Sequence, residues 1–234
     1  MNLVDCPPKL AQMRLEALYR YDHHGRMLTV NEWDGGAAPR FHLMRTARAS
    51  LGRVRSDLPD DVAARLEELC ANEIGTYQGE LPALHNEYLE LLSSTGPVVR
   101  VLAGPVFVFP SDLPSVRDTV SIAPGNANRL RDGLEKWLPD VPHRQPFKAV
   151  VLNGRAVSIC CSVRISDAVH CAGVETVADL RRQGHAANAV TSWAVAVKSL
   201  GATPFYSTSW ENEASRSLAA RLGLALVGVD FRLM

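Results

Sequence analysis

The hydrophobic and polar positions in the second half of the chain follow two periods, one typical of strands and one typical of helices. Residues 147–152 and 156–165 are apolar, β-branched runs joined by Asn153-Gly154, which predicts a hairpin. A strand ending near Val177 then precedes a run with helical spacing. Its apolar members are Ala186, Ala189, Val190, Trp193, Val197 and Leu200. Gly201 follows them and predicts the end of the helix.

The same strand-then-helix pattern occurs once more before the C-terminus. Residues 203–210 predict a strand, residues 212–222 a helix, and Leu224 to Phe231 a final strand. Ala214, Leu218 and Leu222 lie four positions apart on one face of that helix, and Gly223 follows its end. Strands that alternate with helices indicate an α/β protein.

The earlier part of the chain predicts a mixture of helices and strands. The expected elements are a helix running into a strand over 10–21, strands at 27–30 and 41–44, and helices at 60–72 and 87–92. Ser93 to Pro97 is the best candidate linker. We therefore expect an N-terminal α+β extension over residues 1–96 and a second domain over residues 97–234.

Two further elements are expected between the linker and the hairpin. Val98 to Phe109 predicts one or two strands interrupted at Gly104-Pro105. Residues 126–138 predict a helix, because three large apolar residues fall on one of its faces. These are Leu130, Leu134 and Trp137.

The turn at residues 181–186 carries the candidate binding site. Its sequence is Arg181-Arg182-Gln183-Gly184-His185-Ala186, between a predicted strand and a predicted helix. The first amides of a helix lack intrahelical partners and the helix dipole favours an anion there, while Gly184 removes the Cβ that would obstruct a phosphate. Neither G-x-x-x-x-G-K-[ST] nor G-x-G-x-x-G occurs, which excludes the two commonest nucleotide loops. An ordinary turn with solvated arginines is the alternative.

Two motifs in this order resemble the GNAT superfamily of acetyl-CoA-dependent N-acetyltransferases. The first, R-x-x-G-x-A, is matched by Arg181, Gly184 and Ala186. The second, N-x-x-S-x-x-L-x-x-x-L-G, is matched by Asn212, Ser215, Leu218, Leu222 and Gly223. The motif-bearing part covers about residues 145–234. The resemblance implies an acyltransferase fold with a mixed central sheet and flanking helices.

The resemblance also implies acetyl-CoA as the acetyl donor and a set of residues that would bind it. The donor would lie between two neighbouring parallel strands that splay apart. Its pantetheine amides would pair with the backbone of the strand over 173–177, which includes Thr176 and Val177. Its pyrophosphate would be held by the turn that contains Arg181, Arg182, Gln183, Gly184, His185 and Ala186. Asn212 would reach the pantetheine arm from the second helix, which also carries Ser215.

Direct transfer to an amine requires an unprotonated amine and a proton source for the leaving thiolate. The tyrosine that supplies this proton in many members of the family corresponds to Ala219, so solvent, Tyr206 or a serine on the preceding strand would replace it. Glu175 is the candidate base, because a carboxylate in a mostly apolar strand is unusual. The alternative is that Glu175 points to solvent or pairs with an arginine. Ser207 would orient a substrate or a water molecule.

The amino-acid composition argues against several classes of protein. The 234 residues include 25 Lys+Arg and 25 Asp+Glu, which disfavours nucleic-acid and membrane-surface binders, since these usually carry a basic excess. No apolar run approaches ~18 residues, so we expect no transmembrane helix. The N-terminal residues lack the pattern of a secretory signal. An odd number of cysteines, with no metal-binding spacing, suggests a reducing cytoplasm and no metal site. The cysteines are Cys6, Cys70, Cys160, Cys161 and Cys171.

The expected activity is therefore transfer of an acetyl group from acetyl-CoA to a primary amine, of a small molecule in the first instance. The N-terminal extension would be either a cap over the acceptor pocket or a decayed acetyltransferase-like half. Two alternatives remain open: acetylation of a protein N-terminus or lysine, and a non-catalytic acetyl-CoA-binding module, which Ala219 favours. We expect a monomer or a homodimer.

Overall fold

The computed structural model describes residues 3–73, 80–114, 116 and 118–234. The helices are α1 (Pro8–Leu18), α2 (Asp60–Asn72), α3 (His85–Ser93), α4 (His185–Ser199) and α5 (Glu213–Arg221). The strands are β1 (Tyr19–Tyr21), β2 (Met27–Val30), β3 (Phe41–Arg45), β4 (Ser50–Val54), β5 (Val101–Val108), β6 (Thr119–Ser121), β7 (Phe147–Leu152), β8 (Arg155–Ile165), β9 (Val169–Thr176), β10 (Thr203–Ser207) and β11 (Ala225–Leu233). The chain forms two compact units, and the domain division expected at residues 96 and 97 stays a prediction.

The first unit comprises Met1–Phe107, Ser207–Arg216 and Ala225–Met234. Four of its strands follow the order β4-β3-β11-β5, with β3 antiparallel to both β4 and β11, and β1 and β2 form a separate antiparallel hairpin. Helices α2 and α3 bury their apolar faces on this sheet, where the ring of Tyr88 stacks on Phe41 at 4.9 Å between centroids. The C-terminal strand is therefore part of the same core as the N-terminal elements.

A buried ionic cluster joins α1 to two strands of the first unit. Arg14 donates two hydrogen bonds to the carboxylate of Asp230, at 2.9 and 2.7 Å. Nε2 of His42 lies 3.0 Å from Oδ1 of Asp230, and Nδ1 of His42 lies 2.8 Å from the hydroxyl of Tyr19. Desolvation by burial opposes ionisation of Asp230, but the charge of Arg14, with His42 beside it, holds its pKa well below the usual range. The cluster thus buries a charge together with its counterion.

The second unit comprises Val108–Tyr206 and Ser217–Leu224. Its strands follow the order β10-β9-β8-β7-β6; β10 and β9 are parallel and the other neighbours are antiparallel, which confirms the predicted mixed sheet. Helix α4 covers one face, where the indole of Trp193 donates to Ser162 at 3.0 Å. Ile159 and Cys161 alternate with Ser162 along β8, so they face the other side, where they pack on residues 122–141.

The helix predicted over residues 126–138 is wrong. The structure has two short 3-10 turns instead, Pro124–Arg129 and Glu135–Trp137. Asp132 and Gly133 separate them with φ values of 57° and 119°, a left-handed conformation that ends a helix. Leu130 and Leu134 are nevertheless buried. The apolar pattern therefore predicted correctly that these side chains are in the core, but not the conformation of the backbone that carries them.

The interruption predicted at Gly104-Pro105 is also wrong, because β5 runs unbroken from Val101 to Val108. A Cβ at Gly104 would clash with the carbonyl oxygen of Thr208, and the carbonyl of Pro105 accepts the amide of Thr208 at 3.3 Å. Gly104 therefore lies where two backbones approach closely. Pro105 has no backbone N–H to donate, and its carbonyl still accepts a hydrogen bond. Strand β10 is shorter than expected and ends at Ser207.

The hairpin at Asn153-Gly154 is confirmed, with φ values of 51° and 76° at the two turn residues. Helix α2 begins and ends where its pattern predicted. Within the described ranges, no helix combines the length and apolar character needed to span a bilayer. The same ranges contain no group of three or more histidine, cysteine or acidic side chains placed to hold a metal ion. All five cysteines are buried, and none forms a disulfide.

Candidate active site

Strands β9 and β10 pair at one end and part at the other. Their parallel register joins residues 203, 204 and 205 to Val169, His170 and Cys171 and stops there, whereas β9 continues to Thr176. On its other edge β9 stays paired with β8 as far as Thr176. Residues 172–176 therefore leave one backbone edge unpaired beside β10, and we call this gap the opening.

The backbone groups that face this opening can be assigned from the ladder. Val177 donates its amide to the carbonyl of Val157 at 3.0 Å, and ladder hydrogen bonds alternate along an antiparallel strand. Gly173 and Glu175 consequently direct their backbone groups to β8, and Val174 and Thr176 direct theirs to the opening. The carbonyl of Thr176 already accepts Nε of Arg181 at 3.3 Å, and the amide of Val177 is used within the sheet.

The closed end of the opening is fixed by a buried hydrogen-bonded chain. The indole of Trp193 can only donate, so Ser162 accepts from it at 3.0 Å and uses its own proton for Nδ1 of His170, at 2.8 Å. This order places the remaining imidazole proton on Nε2 of His170. Burial lowers the pKa of His170 and favours its neutral form. Strand β9 is thereby anchored to α4 where it pairs with β10.

The turn between β9 and α4 leaves a row of amides without protein partners. Arg182 and Gly184 have φ values of 63° and 89°, and α4 begins at His185 without a side-chain cap. The first helical amide with an acceptor is that of Asn188, which bonds to the carbonyl of Gly184 at 3.3 Å. In the described parts of the chain, no group accepts the amides of residues 182–187. Such a row is suited to an anion.

An arginine that the sequence motifs did not single out lies next to this turn. A Cβ added at Gly184 would be 3.5 Å from Nη2 and 3.9 Å from Nη1 of Arg221, in the last turn of α5. None of the described carboxylates forms an ion pair with this exposed guanidinium. Arg221 directly precedes Leu222-Gly223 of the second motif, but only the fold brings it to Gly184. We call residues 181–187 together with Arg221 the cradle.

The carboxylate of Glu175 is held by two donors from the 3-10 turn Glu135–Trp137. The indole of Trp137 donates to Oε2 at 2.5 Å, and Nζ of Lys136 lies 2.9 Å from the same oxygen. The side chain of Glu175 is 23% exposed. Its partner is thus a lysine rather than the arginine considered from the sequence, and its role as a base stays a prediction.

The other predicted catalytic residues differ in accessibility. Tyr206, on β10 in the second unit, is buried, whereas Ser207 is partly exposed and belongs to the first unit. Ala219, at the position of the family's tyrosine, is fully buried, so its methyl group contributes to packing and supplies no proton. The roles expected for Tyr206 and Ser207 stay predictions.

Asn212 and Ser215, both in the first unit, contact each other. The side-chain oxygen of Asn212 accepts the amide of Ser215 at 3.0 Å, which caps the start of α5. The side-chain NH₂ of Asn212 is exposed and has no partner in the described parts of the chain. Asn212 therefore has a structural role that does not require a ligand, and it retains a donor that could serve one.

No protein-family profile and no curated protein sequence matches this chain. Solved structures similar to it in fold include an acetyltransferase of the GNAT family from Colwellia psychrerythraea, at 14% identity and a TM-score of 0.49, over 79% of this chain and 76% of that one. A GCN5-related N-acetyltransferase-like protein from Streptococcus suis matches at 16% identity and a TM-score of 0.48, over 84% and 85%. A GCN5-related N-acetyltransferase from Sphaerobacter thermophilus matches at 13% and 0.47, over 88% and 78%.

Proposed function

We propose that the protein is an N-acetyltransferase that moves an acetyl group from acetyl-CoA to a primary amine, in the first instance of a small molecule. The observation that supports this most is continuity within the second unit. The open edge of β9 at residues 172–176 leads directly into the unpartnered amides of residues 182–187. The open edge of β9 suits an extended arm that contains amides. The amides that follow it in the chain suit a pyrophosphate.

The chain's own groups suit the donor in three places. Val174 offers a backbone donor and acceptor to the amides of the pantetheine arm. The amides of the cradle would hold the pyrophosphate, and Arg221 would neutralise part of its charge. The resemblance alone supports a role in donor binding for the NH₂ of Asn212 and for Ser215, the residues matched by the second motif.

Catalysis would depend mainly on positioning. Glu175 would take a proton from the acceptor amine, and solvent or Tyr206 would return one to the thiolate, since Ala219 cannot. Ser207 would orient the acceptor or a water molecule. Five buried cysteines without a disulfide suit a reducing compartment, and we propose the cytoplasm.

A second candidate function is a non-catalytic acetyl-CoA-binding module. The observation that favours it is the fully buried Ala219 in place of a proton donor. It predicts binding of acetyl-CoA without release of CoA for any amine. A protein N-terminus or lysine is the alternative acceptor. A small-molecule acceptor is preferred because the sequence has no dense acidic run of the kind that receives a basic peptide.

The proposal is tested by calorimetric titration of the purified protein with acetyl-CoA, with NADH and ATP as controls. Saturable binding of acetyl-CoA alone is expected, followed by CoA release with a suitable amine. Gly184→Glu should abolish binding, because a carboxylate would enter the cradle. Gly201→Glu is the matched control, since Gly201 shares the left-handed φ of Gly184, at 81°, and nothing lies within 4 Å of its added Cβ. Absence of binding by the unaltered protein would overturn the proposal, and unchanged affinity in Gly184→Glu would overturn the cradle assignment.

A further inference from the structure

We propose that Lys136 is a self-acetylation site of this protein; this rests on the proposed function. Nζ of Lys136 lies 2.9 Å from Oε2 of Glu175, the carboxylate assigned above to deprotonate the acceptor amine. A primary amine of the chain therefore occupies the position, relative to the candidate base, that the reaction requires of its acceptor.

Glu175 lies on β9, the strand proposed to bind the donor, so the amine that it holds is next to a residue of that strand. Glu175 lies between Val174 and Thr176, whose backbone groups face the opening beside β9. Trp137 fixes the carboxylate by a 2.5 Å hydrogen bond, so Oε2 has a defined position. The side chain of Lys136 is 68% exposed, and its amine can leave the ion pair without disturbing the core. A tethered amine beside the base has the proximity advantage of an intramolecular reaction.

The chain offers internal controls, because it contains only four lysines. Nζ of Lys148 donates to the hydroxyl of Ser121 at 2.7 Å, and Nζ of Lys198 donates to the carbonyls of Pro110 and Ser111. Lys9 is exposed at the start of α1. Among the described residues, Lys136 is thus the lysine that contacts a carboxylate, and selective modification of it has a specific structural cause.

The chemical step balances without a further reactant. Nζ of Lys136 forms a bond to the acetyl carbonyl carbon of acetyl-CoA, and the carbon–sulfur bond breaks. Nζ loses two protons: Glu175 takes one and passes it to solvent, and the other leaves on the sulfur of CoA. The products are acetyl-lysine and free CoA. Acetylation removes the positive charge of Lys136 and ends its ion pair with Glu175.

The test is residue-by-residue mass mapping of the purified protein after incubation with acetyl-CoA. Lys136 should be acetylated about tenfold faster than Lys9, Lys148 or Lys198. Acetic anhydride in place of acetyl-CoA should not reproduce this order, because Lys136 is held by Glu175 while Lys9 is free to react. The rate per molecule should not change with protein concentration. Glu175→Gln should slow modification of Lys136, and Lys136→Arg, which keeps the charge, should abolish it at this position.

Each outcome decides between the two proposals. If calorimetry shows binding of acetyl-CoA but Lys136 is acetylated no faster than the other lysines, self-acetylation is overturned and the donor site stands. The same holds if acetic anhydride gives the same preference, or if the rate rises with protein concentration. If acetyl-CoA does not bind at all, both proposals are overturned. Selective acetylation that is lost in Glu175→Gln, with the melting temperature retained, supports both.

Discussion

The two compact units differ in whether their polar and charged groups have partners within the protein. In the first unit, Arg14, Asp230 and His42 are almost fully buried, and each charge has a partner within 3.0 Å. In the second unit, the amides of residues 182–187 and the guanidinium of Arg221 have no protein acceptor among the described residues. Buried charges that are paired contribute to the stability of their unit, whereas donors without a protein acceptor are available to a ligand.

This difference separates the expected effects of mutations. Removing Arg14 or Asp230 leaves a desolvated charge without its main counterion, so stability should fall. Changing the cradle leaves no buried group unpaired, so affinity should change with little effect on stability. The comparison fails if cluster variants are stable or if cradle variants unfold.

The largest effect is expected for Asp230→Ala. The variant would leave Arg14 buried without its carboxylate, which costs about 3–5 kcal/mol of the free energy of unfolding. Chemical denaturation of the purified variant measures it. Asp57→Ala is the control, because the carboxylate of Asp57, whose side chain is 60% exposed, forms an ion pair with Arg55 at 2.7 Å, for which we expect about 0–1 kcal/mol. Equal losses in the two variants would contradict the role assigned to the cluster.

The second prediction concerns pH and the same cluster. Burial lowers the pKa of His42 to about 4, despite the attraction of Asp230. Because an unfolded histidine titrates near ~6.5, the unfolded chain binds the proton more readily between these values. Stability should therefore be full above about pH 6.5 and should decline as the pH falls towards 4, by up to about 3 kcal/mol. The groups packed around His42 are Tyr19, Asp230, Arg14 and Arg232.

Denaturation of the protein at a series of pH values checks this slope. His42→Gln removes the titrating ring, so its stability should vary less over the same interval. Asp230 titrates well below its usual range and contributes its own loss only at more acidic pH. If the stability of His42→Gln falls as steeply with pH as that of the unaltered protein, the effect belongs to another group.

Local chemistry was predictable from the sequence, and long-range contacts were not. Asn153-Gly154 predicted a hairpin, and Gly201 predicted the end of α4, because each depends on residues close in sequence. The failure at residues 126–138 has the same origin: apolar spacing reports which side chains are buried, and the left-handed Gly133 decides that no helix forms.

The contacts that matter most for function join residues far apart in the chain. Arg221 meets Gly184, and Lys136 meets Glu175, across separations that no local pattern spans. The candidate site could therefore be located from its motifs, while the counter-charge of the cradle and the partner of the candidate base required the fold. The missing proton donor was visible in the sequence at Ala219, because a single motif position revealed it.

The third prediction is a moderate loss of affinity in Arg221→Ala. Removing one charge-assisted contact to a phosphate should weaken acetyl-CoA binding about tenfold, or about 1.4 kcal/mol. The affinity should also become less sensitive to salt, and Arg221→Lys should restore part of it. Calorimetric titration at two salt concentrations measures both. Arg131→Ala, another exposed arginine of the second unit, is the control, and an equal loss there would indicate a general charge effect instead.

The smallest effect is expected at Asn212, where two roles can be separated. Asn212→Ala removes the cap of α5 and should lower the free energy of unfolding by about 1 kcal/mol. Asn212→Asp keeps a capping oxygen and replaces the exposed NH₂ with a carboxylate oxygen, which is also favourable at the start of a helix, so it should retain stability. If this NH₂ binds the donor, acetyl-CoA affinity should fall in both variants. If affinity falls in neither, Asn212 acts only as a cap, and the donor site is confined to the open edge of β9 and the cradle, groups that belong to the second unit.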